Sequence, residues 1–202
     1  MSTRLTPATN PLAASFYFPL TIDMMTTPTF SPPAKGEYPE YFESYISKVP
    51  TADFIDVLAG QPQMLRELLG DLPEGEDNKP HPPYTWTLKQ VVGHLLDVER
   101  IFSTRMLRIG VGDTTPMPGM DQNEYVDGLD YENVSMAALL DEFAALRESN
   151  RLLAIRLGSE SLARTGTASD CEVSARANLF ILVGHVEYHA EIIRQRVRGF
   201  QT

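Results

Sequence analysis

Residues 85–109, TWTLKQVVGHLLDVERIFSTRMLRI, decide the fold of this chain. Apolar side chains recur every three or four positions along this stretch, which is the period of one face of an α-helix and not that of a β-strand. Thr87 and Gln90 have the spacing of a capping box, so a helix is expected to begin after Thr87 and to run to about Ile109. Its apolar face consists of Leu88, Val91, Leu95, Val98, Phe102, Met106 and Ile109.

Three more segments share this helical period, at residues 53–69, 135–158 and 174–199, and a short helix is expected at 39–48. The alternation that is typical of strands joined by hairpin turns is not found in the sequence. Four amphipathic helices, each with one apolar face, can bury those faces only against one another. The sequence therefore predicts an all-α protein built as a four-helix bundle.

The predicted helices are joined by three connections, at residues 71–86, 110–134 and 158–173, which are all expected to be irregular. The first two are long enough for helices that are not consecutive in the chain to become neighbours in the bundle. A connection as long as 110–134 is uncommon in a compact domain unless it has a function or covers a site.

The first 36 residues differ from the rest, because they contain six of the fifteen prolines together with many Thr and Ser residues. Such a composition forms little regular structure, so residues 1–36 are interpreted as a flexible extension of a domain that spans residues 37–202. The extension lacks the continuous apolar run and the cleavage site of a signal peptide. Met24 or Met25 is an alternative start of the chain, and either would remove residues 1–23.

The composition excludes several classes of function. The chain has 27 acidic and 17 basic residues and a formal net charge of -10, which argues against binding to nucleic acid or to an anionic membrane surface. The single cysteine, Cys171, rules out an internal disulfide, so a cytoplasmic location is expected. No apolar run in the sequence approaches the roughly 20 residues of a membrane-spanning helix.

The histidines give the first indication of chemistry. His185 and His189 lie four residues apart in the last predicted helix, so their imidazoles point the same way along one border of its apolar face. His94 lies at the border of the apolar face of the helix at 85–109. If the two helices pack side by side, three imidazoles meet at the margin of the core. Three neutral nitrogens would hold a divalent ion and leave positions open for water or substrate, as in catalytic metal sites.

Each of these histidines also has an ordinary structural interpretation. A single histidine at a core border, such as His94, is often a half-buried packing residue, and His185 and His189 alone would form a polar helix edge. Only the three together favour a metal site. The sequence HVEYH at 185–189 is not the HExxH signature of metalloproteases, because Glu187 takes the third position of the motif instead of the second.

Five further residues are weaker candidates for roles beside such a site. Asp97 would accept a hydrogen bond from an imidazole, although a solvated position on the surface is the more ordinary expectation. Asn178 and Arg196 continue the polar border of the last helix. Asp121 and Tyr125, in the connection 110–134, would line the entrance to the site, with a packing role as an equal alternative for Tyr125.

Two residues of reactive type are expected to play no part. Cys171 lies between Asp170 and Glu172, whose negative charges disfavour a thiolate, so it is not expected to be a nucleophile. His81 lies between Pro80 and Pro82 and is expected to be exposed and without a role.

Trp86 before the second long helix, His94 within GHLLDVE and the paired histidines near the C terminus form a specific combination. The stretches that carry it are YTWTLKQVVGHLLDVERIFSTRMLRI, GDTTPMPGMDQNEYV, LLDEFAALRESNRLL and GHVEYHAEIIRQRV. In these stretches the sequence resembles the DinB-like (YfiT-related) superfamily of four-helix-bundle metalloproteins. The resemblance extends over about residues 53–197, which is almost all of the predicted domain.

The resemblance implies a bundle of up-down-down-up topology, a divalent metal held by three histidines, and in many members a homodimer. Carried over position by position, the ligands are His94, His185 and His189. Members of this subtype often have two adjacent histidines late in the final motif. Here Tyr188 takes the first of those two places, while the spacing of four between the remaining histidines is retained.

The better-understood members of the superfamily include metal-dependent S-transferases and isomerases that use low-molecular-weight thiols. The resemblance therefore implies a related activity for this chain. A bound divalent ion (zinc, nickel or iron) lowers the pKa of a coordinated thiol or water and so produces a nucleophile at neutral pH. We therefore expect a metal-dependent enzyme for a small-molecule substrate, with thiol-dependent S-transferase activity favoured over hydrolysis. The alternatives are a non-catalytic metal-binding or stress-response module on the same bundle, and histidines that only pack at the core border.

Overall fold

A computed structural model describes residues 30–50 and 53–200, which form an α-helical bundle with one small β-hairpin and confirm the predicted fold class. Residues 1–29 of the predicted extension, which include both alternative starts, lie outside the described residues. Within the described part, no helix is both long enough and apolar enough to cross a bilayer. The long helices are α2 (Phe54–Leu69), α3 (Leu88–Gly110), α5 (Met136–Leu162) and α6 (Ala175–Val197), the short ones are α1 (Glu43–Ile46) and α4 (Gln122–Gly128), and the hairpin consists of β1 (Thr165–Ala168) and β2 (Cys171–Ser174).

Side-chain caps explain why the four long helices begin where they do. At the start of α3, the N–H of Gln90 donates to Thr87 Oγ1 at 3.1 Å and the N–H of Thr87 donates to Gln90 Oε1 at 2.9 Å, which is the predicted capping box. The other three helices begin at a single polar side chain that accepts a backbone N–H of the first turn. These side chains are Asp53 for α2, Ser135 for α5 and Ser174 for α6.

The topology follows from two apolar clusters that are stacked along the bundle. One cluster contains the start of α2, the end of α3, the end of α5 and the start of α6, and the other cluster contains the opposite ends. Helices α2 and α6 therefore run in one direction and α3 and α5 in the other, which is the up-down-down-up order. Both α3 and α2 pack against α5 and α6, so the consecutive helices α2 and α3 lie diagonally across the bundle.

A layer of buried polar groups lies where the two clusters meet. In α3 the change from one cluster to the other falls between Leu96 and Val98, and in α6 it falls between Val183 and Val186. Because α3 and α6 are antiparallel neighbours, the polar residues at these two junctions face each other. His185 is one of these residues, His94 lies about one turn before the junction in α3, and both histidines are buried.

A buried ion pair joins α3 to α5 in the same layer. Arg147 Nη2 lies 2.6 Å from Glu99 Oε1, and both side chains are 1% exposed. Asn150 Nδ2 donates to the other oxygen of the Glu99 carboxylate at 2.6 Å. Removing one partner of such a pair leaves an unpaired buried charge, at a cost of about 3–5 kcal/mol. The pair therefore specifies which faces of α3 and α5 meet.

The prediction of an irregular connection at 158–173, without strands, was wrong. Residues Thr165–Ala168 pair with Cys171–Ser174 as an antiparallel hairpin, and its two-residue turn is Ser169–Asp170. Both turn residues have positive φ, at 53° and 60°, as a tight hairpin turn requires. Sequence rules expect Asn-Gly or Asp-Gly at such a turn, and Ser-Asp does not give that signal.

Two helix boundaries also differ from the expectation. The helix predicted to end at Gly158 continues to Leu162, with Gly158 in a left-handed conformation (φ 68°) at a kink inside it. Glycine adopts this conformation at little steric cost. The helix is therefore interrupted only at Gly158 and continues in a different direction after it. The connection 110–134 contains α4, which begins after Asp121, since the carboxylate of Asp121 accepts the N–H of Asn123.

Helix α1 packs against α6 at a point where only glycine fits. A Cβ atom added to Gly184 would lie 2.0 Å from the carbonyl oxygen of Tyr45. The absence of a side chain at Gly184 therefore lets the α1 backbone approach α6 next to His185. The Tyr45 ring then lies edge-on against the His185 ring, with 5.2 Å between the ring centroids.

Replacing Gly184 with alanine is expected to destabilise the protein by about 1–3 kcal/mol, because the new Cβ overlaps with backbone that cannot rotate away. Urea denaturation followed by circular dichroism measures this change. Gly60→Ala is the matched control, since Gly60 lies in α2 and a Cβ added there has no atom within 4 Å from the other described parts of the chain. We expect that control to be neutral or stabilising by up to about 1 kcal/mol. Wild-type stability in Gly184→Ala would contradict the described contact between α1 and α6.

Candidate metal centre

Three histidines from two antiparallel helices meet inside the bundle. His94 lies near the middle of α3, and His185 and His189 lie on successive turns of α6. His94 Nε2 is 3.0 Å from His185 Nε2, and His189 Nε2 is 3.1 Å from the same atom. All three side chains are buried, with exposures of 2%, 5% and 9% for His94, His185 and His189. In the part of the chain that the structure describes, this is the one group of three metal-ligating side chains whose ligand atoms lie within 4.8 Å of one another.

The environment keeps the three imidazoles neutral. Burial lowers the pKa of His94 to about 4 and that of His189 to about 3. Burial, together with the two neighbouring rings and Arg147, lowers the pKa of His185 well below its usual value. A neutral imidazole has a lone pair on one ring nitrogen, which is the form that binds a metal ion. All three rings are therefore in the metal-binding protonation state at neutral pH.

The separations of the nitrogens fit a shared ion. Two nitrogens that each bind one ion at about 2.0–2.1 Å lie about 3 Å apart when the angle at the ion is close to 90–100°. The two separations in the structure, 3.0 and 3.1 Å, have this value. The Nδ1 atoms of His94 and His189 are buried without a hydrogen-bond partner among the described residues, so no protein group there fixes their tautomer. The donor set suits zinc, nickel or iron, since imidazole binds all three.

Aromatic rings surround the cluster and restrict the imidazoles. The Trp86 ring lies 5.1 Å from the ring of His94, and the Tyr188 ring lies 5.3 Å from that of His189. Tyr45 packs against both His185 and Tyr188. These rings reduce the contact of the imidazoles with water, and electrostatic interactions are stronger where less water is present.

Two cavities open on either side of the histidines. The first has a volume of about 240 Å³ and is lined by His94 and His185 together with Phe102 and Arg105. The second has a volume of about 330 Å³ and is lined by His189 together with Trp86, Tyr188 and Arg196. Tyr45 and Gln122 line both cavities. The cluster is therefore accessible to small molecules from two directions.

The structure places the weaker candidate residues at different distances from the cluster. Arg196 lines the second cavity. Asn178 is buried in the first turn of α6, about two turns before His185, where its amide donates to the Ser174 carbonyl. Asp121 caps α4. Tyr125 is 41% exposed and lines a separate surface cavity beside Arg105. Only Arg196 of these four lies beside the cluster.

Neither sequence expectation for Asp97 agrees with the structure. Asp97 is buried, not solvated, and it does not contact an imidazole. Its carboxylate accepts a hydrogen bond from the Tyr131 hydroxyl at 2.7 Å, and burial raises its pKa. The Tyr131 ring packs over Gly93, where a Cβ would lie 2.5 Å from the ring. Asp97 therefore attaches the connection after α4 to α3.

The expectation that His81 is exposed was wrong. His81 is half-buried, its Nε2 lies 3.2 Å from Glu76 Oε2, and its Nδ1 lies 3.0 Å from Arg196 Nη2. Its contacts come from the short helix at residues 76–78 and from α6, and neither was expected to approach it. Cys171 is a free cysteine within β2 and takes no part in the cluster.

Sequence reasoning missed three residues that line the cavities: Tyr45, Arg105 and Gln122. Tyr45 lies in the predicted short helix at 39–48, but no motif connects that helix to the histidines. Arg105 lies on α3 three turns after His94, where it donates to the Pro118 carbonyl and to Ser169 Oγ. The sequence predicted that Asp121 lines the entrance to the site. In the structure the next residue, Gln122, lines both cavities instead.

The fold and the cluster together define a class of protein, an α-helical bundle with a buried site of three imidazoles. Residues 58–193 match the DinB superfamily, and the chain therefore belongs to that superfamily. Among solved structures the chain is similar to YfiT from Bacillus subtilis, described as a probable metal-dependent hydrolase with an unusual four-helix bundle topology. The TM-score is 0.67 and the identity 18%, with 83% of this chain and 92% of that chain covered, which shows a common fold. No curated protein matches the sequence.

The lowered pKa values predict a specific dependence of stability on pH in the metal-free protein. The pKa of His94 is about 4 in the folded state and about 6.5 in the unfolded state, so the unfolded state binds more protons between these values. Stability must therefore fall as the pH falls through this range. Between about pH 7.5 and pH 5.5 we expect His94 alone to account for a loss of about 1.4 kcal/mol.

Urea denaturation of EDTA-treated wild-type protein and His94→Gln at both pH values measures this contribution. The variant is expected to lose about 1.4 kcal/mol less than the wild type over the interval, while the contributions of carboxylates cancel in the comparison. Equal losses in the two proteins would show that His94 titrates alike in the folded and unfolded states, contrary to its burial.

Proposed function

We propose that this protein is a metal-dependent enzyme in which His94, His185 and His189 bind one divalent ion. The observation that carries this proposal is the meeting of three neutral, buried imidazole nitrogens with separations that suit a common ion. A bound divalent ion would lower the pKa of a thiol or water molecule beside it. The chain contributes the dry, aromatic surroundings and the two cavities from which small molecules reach the cluster.

An open coordination sphere favours an enzyme over a non-catalytic metal-binding module. A structural site has four protein ligands, whereas a catalytic site has three and leaves a position for a reactant. Among the described residues, no cysteine, aspartate or glutamate joins the three histidines as a fourth ligand. A module that only binds metal, or a stress-response module on the same bundle, is therefore the weaker proposal.

The pair of cavities favours a transferase that uses a low-molecular-weight thiol. A transferase must hold two organic reactants next to each other, whereas a hydrolase needs one organic reactant and water. The first cavity reaches His94 and His185, the second reaches His189, and Tyr45 and Gln122 lie between them. In this arrangement one cavity would take the thiol and the other the acceptor molecule, and the Gln122 amide would orient both by hydrogen bonds.

Hydrolysis is the second candidate activity. Its support is the similarity of the fold to YfiT, which is described as a probable metal-dependent hydrolase. The same three histidines would serve such a reaction, with water instead of a thiol beside the ion. The thiol cofactor, the homodimer and the cytoplasmic location expected from the sequence belong to the proposal, and size-exclusion chromatography with light scattering measures the oligomeric state.

Metal analysis tests the ion-binding part of the proposal. After incubation with Zn²⁺ and removal of free metal, the wild-type protein is expected to retain about one ion per chain, whereas His94→Ala and His185→Ala retain almost none. EDTA should lower the melting temperature of the wild type, since an ion at about 100 times its Kd adds about 2.7 kcal/mol of stability. His81→Ala is the control, because this fourth histidine lies outside the cluster. Wild-type protein that retains no ion contradicts the proposal.

Activity measurements distinguish the two candidate reactions. We expect the metal-loaded protein to accelerate conjugation of 1-chloro-2,4-dinitrobenzene with small thiols more than hydrolysis of p-nitrophenyl acetate. His189→Ala should lower the conjugation rate by more than about tenfold, since even the outer partners of metal ligands cost about 10–100-fold when they are removed. Faster ester hydrolysis with no dependence on thiol would favour the hydrolase. A metal-loaded protein that is inactive with a broad panel of thiols, electrophiles and esters would favour the non-catalytic module.

A further inference from the structure

Arg196 is a buried cation without a carboxylate partner. It lies near the end of α6 with 7% of its surface exposed, although arginine is almost never buried without such a partner. Its Nη2 donates to the carbonyl of Trp86 and to His81 Nδ1, both at 3.0 Å. Among the described residues, no carboxylate oxygen lies within ion-pair distance of its guanidinium group. This charge is therefore compensated by neutral acceptors alone.

Two nitrogens of this guanidinium group lack any acceptor. Nε and Nη1 of Arg196 are buried, and neither has a hydrogen-bond partner among the described residues. A buried donor without an acceptor loses its hydration and gains nothing in return. An arginine stays charged in proteins, and the lowering of its pKa by burial does not remove that charge. These two N–H groups could therefore donate hydrogen bonds to an anionic group.

Arg196 lies at the wall of the second cavity, so an anion that binds to it would occupy this cavity. Arg196 lines this cavity together with His189, which lies two helical turns earlier on the same helix. Of the described residues that line the cavity, only Arg196 carries a permanent charge, and the walls are mostly aromatic or aliphatic. A single positive charge in apolar surroundings matches a ligand with one negative charge and an apolar body. A phosphate monoester, with nearly two negative charges, would need a second cation.

The two acceptors of Nη2 hold the guanidinium group in place before any ligand arrives. Both belong to the connection between α2 and α3, and His81 is itself in contact with Glu76 through its other nitrogen. The Tyr84 ring lies 5.3 Å from the guanidinium carbon and covers it from the side. A cation that is already fixed loses little conformational entropy when it binds a ligand.

We propose that the second cavity is a binding site for a small carboxylate, with the carboxylate group on Arg196 and the apolar body of the ligand directed toward His189. This inference deepens the proposed function, because it assigns a monocarboxylate class to one of the two reactants. The carboxylate site itself does not require a bound ion, since Arg196 and its acceptors are in place without one.

Trp86 provides the measurement for the test. It is the only tryptophan of the chain, its carbonyl accepts from Arg196, and it lines the same cavity. Titration of EDTA-treated protein with hexanoate should therefore change its fluorescence in a saturable manner. We expect hexanoate to bind about tenfold or more tightly than hexanamide, which has the same shape but no charge.

Variants at two positions of α6 show whether Arg196 causes this preference. Arg196→Gln should bind the acid and the amide equally, and Arg196→Lys should retain only part of the preference, because lysine lacks the planar fork. Arg194→Gln removes the same charge two residues earlier, where the side chain contacts Met64 Sδ instead of the cavity, and it should bind like the wild type. If Arg196→Gln does not fold, the comparison of hexanoate and hexanamide in the wild type and in Arg196→Lys still decides the question.

Equal affinity of the wild-type protein for hexanoate and hexanamide would overturn the inference, and so would a preference that persists in Arg196→Gln. Tighter binding of hexyl phosphate than of hexanoate would overturn the carboxylate class. Cobalt-loaded protein separates this inference from the proposed function, because binding of a thiolate to Co²⁺ produces a new absorption band. We expect 6-mercaptohexanoate to produce that band at about tenfold lower concentration than 6-mercaptohexanol. The same band at equal concentrations would leave the metal site intact and refute the carboxylate site.

Discussion

The antiparallel contact between α3 and α6 determines where the polar groups of the bundle core lie. It places the middle of one helix opposite the middle of the other, so His94 meets His185 and, one turn later, His189. Burying three imidazoles is costly, because each loses its hydration. The two apolar clusters on either side of the polar layer offset this cost and hold the helices in one register. A shift by one helical turn, about 5.4 Å, would separate the three nitrogens.

The bundle contains two kinds of buried cation, which differ in the groups that surround them. Arg147 pairs with the carboxylate of Glu99, which in turn accepts from Asn150, so its charge is balanced within the protein. Arg105 and Arg196 are also buried, but each donates only to neutral oxygen or nitrogen atoms and each lines a cavity beside the histidines. A paired cation holds helices together, whereas a cation without a carboxylate partner beside a cavity retains attraction for a ligand. The chain has 27 acidic residues, and yet no described carboxylate lies within ion-pair distance of Arg105 or Arg196.

The sequence predicted those parts of the structure that depend on local rules. A helix start depends on capping residues that lie within one turn of each other, as Thr87 and Gln90 do. The proximity of His185 and His189 depends only on the period of one helix. The approach of His94 to that pair required only that two apolar faces pack together. Each of these inferences uses contacts within a helix, or the burial of one helix face.

What the sequence did not predict depends on contacts between segments that are distant in the chain. Asp97 is buried because Tyr131 covers it, and no local pattern connects these two residues. His81 is half-buried and contacts Arg196, which is 115 positions away in the chain. Tyr45 reaches His185 only because Gly184 leaves room for the α1 backbone. The hairpin was missed for a different reason, since Ser169 and Asp170 adopt positive φ without the glycine that usually signals it.

The residues of the site come from two kinds of segment, the long helices and the connections between them. The three histidines belong to the long helices of the bundle, whose register is fixed by the core. Tyr45 and Gln122, which line both cavities, belong to the short helices α1 and α4, and Trp86 belongs to the connection before α3. Substitutions in these connections would change the shape and charge of the cavities without moving the nitrogens of the cluster, because surface connections tolerate change better than packed helices do. The bundle can therefore keep one arrangement of imidazoles while substitutions in its connections change the shape and charge of the two cavities.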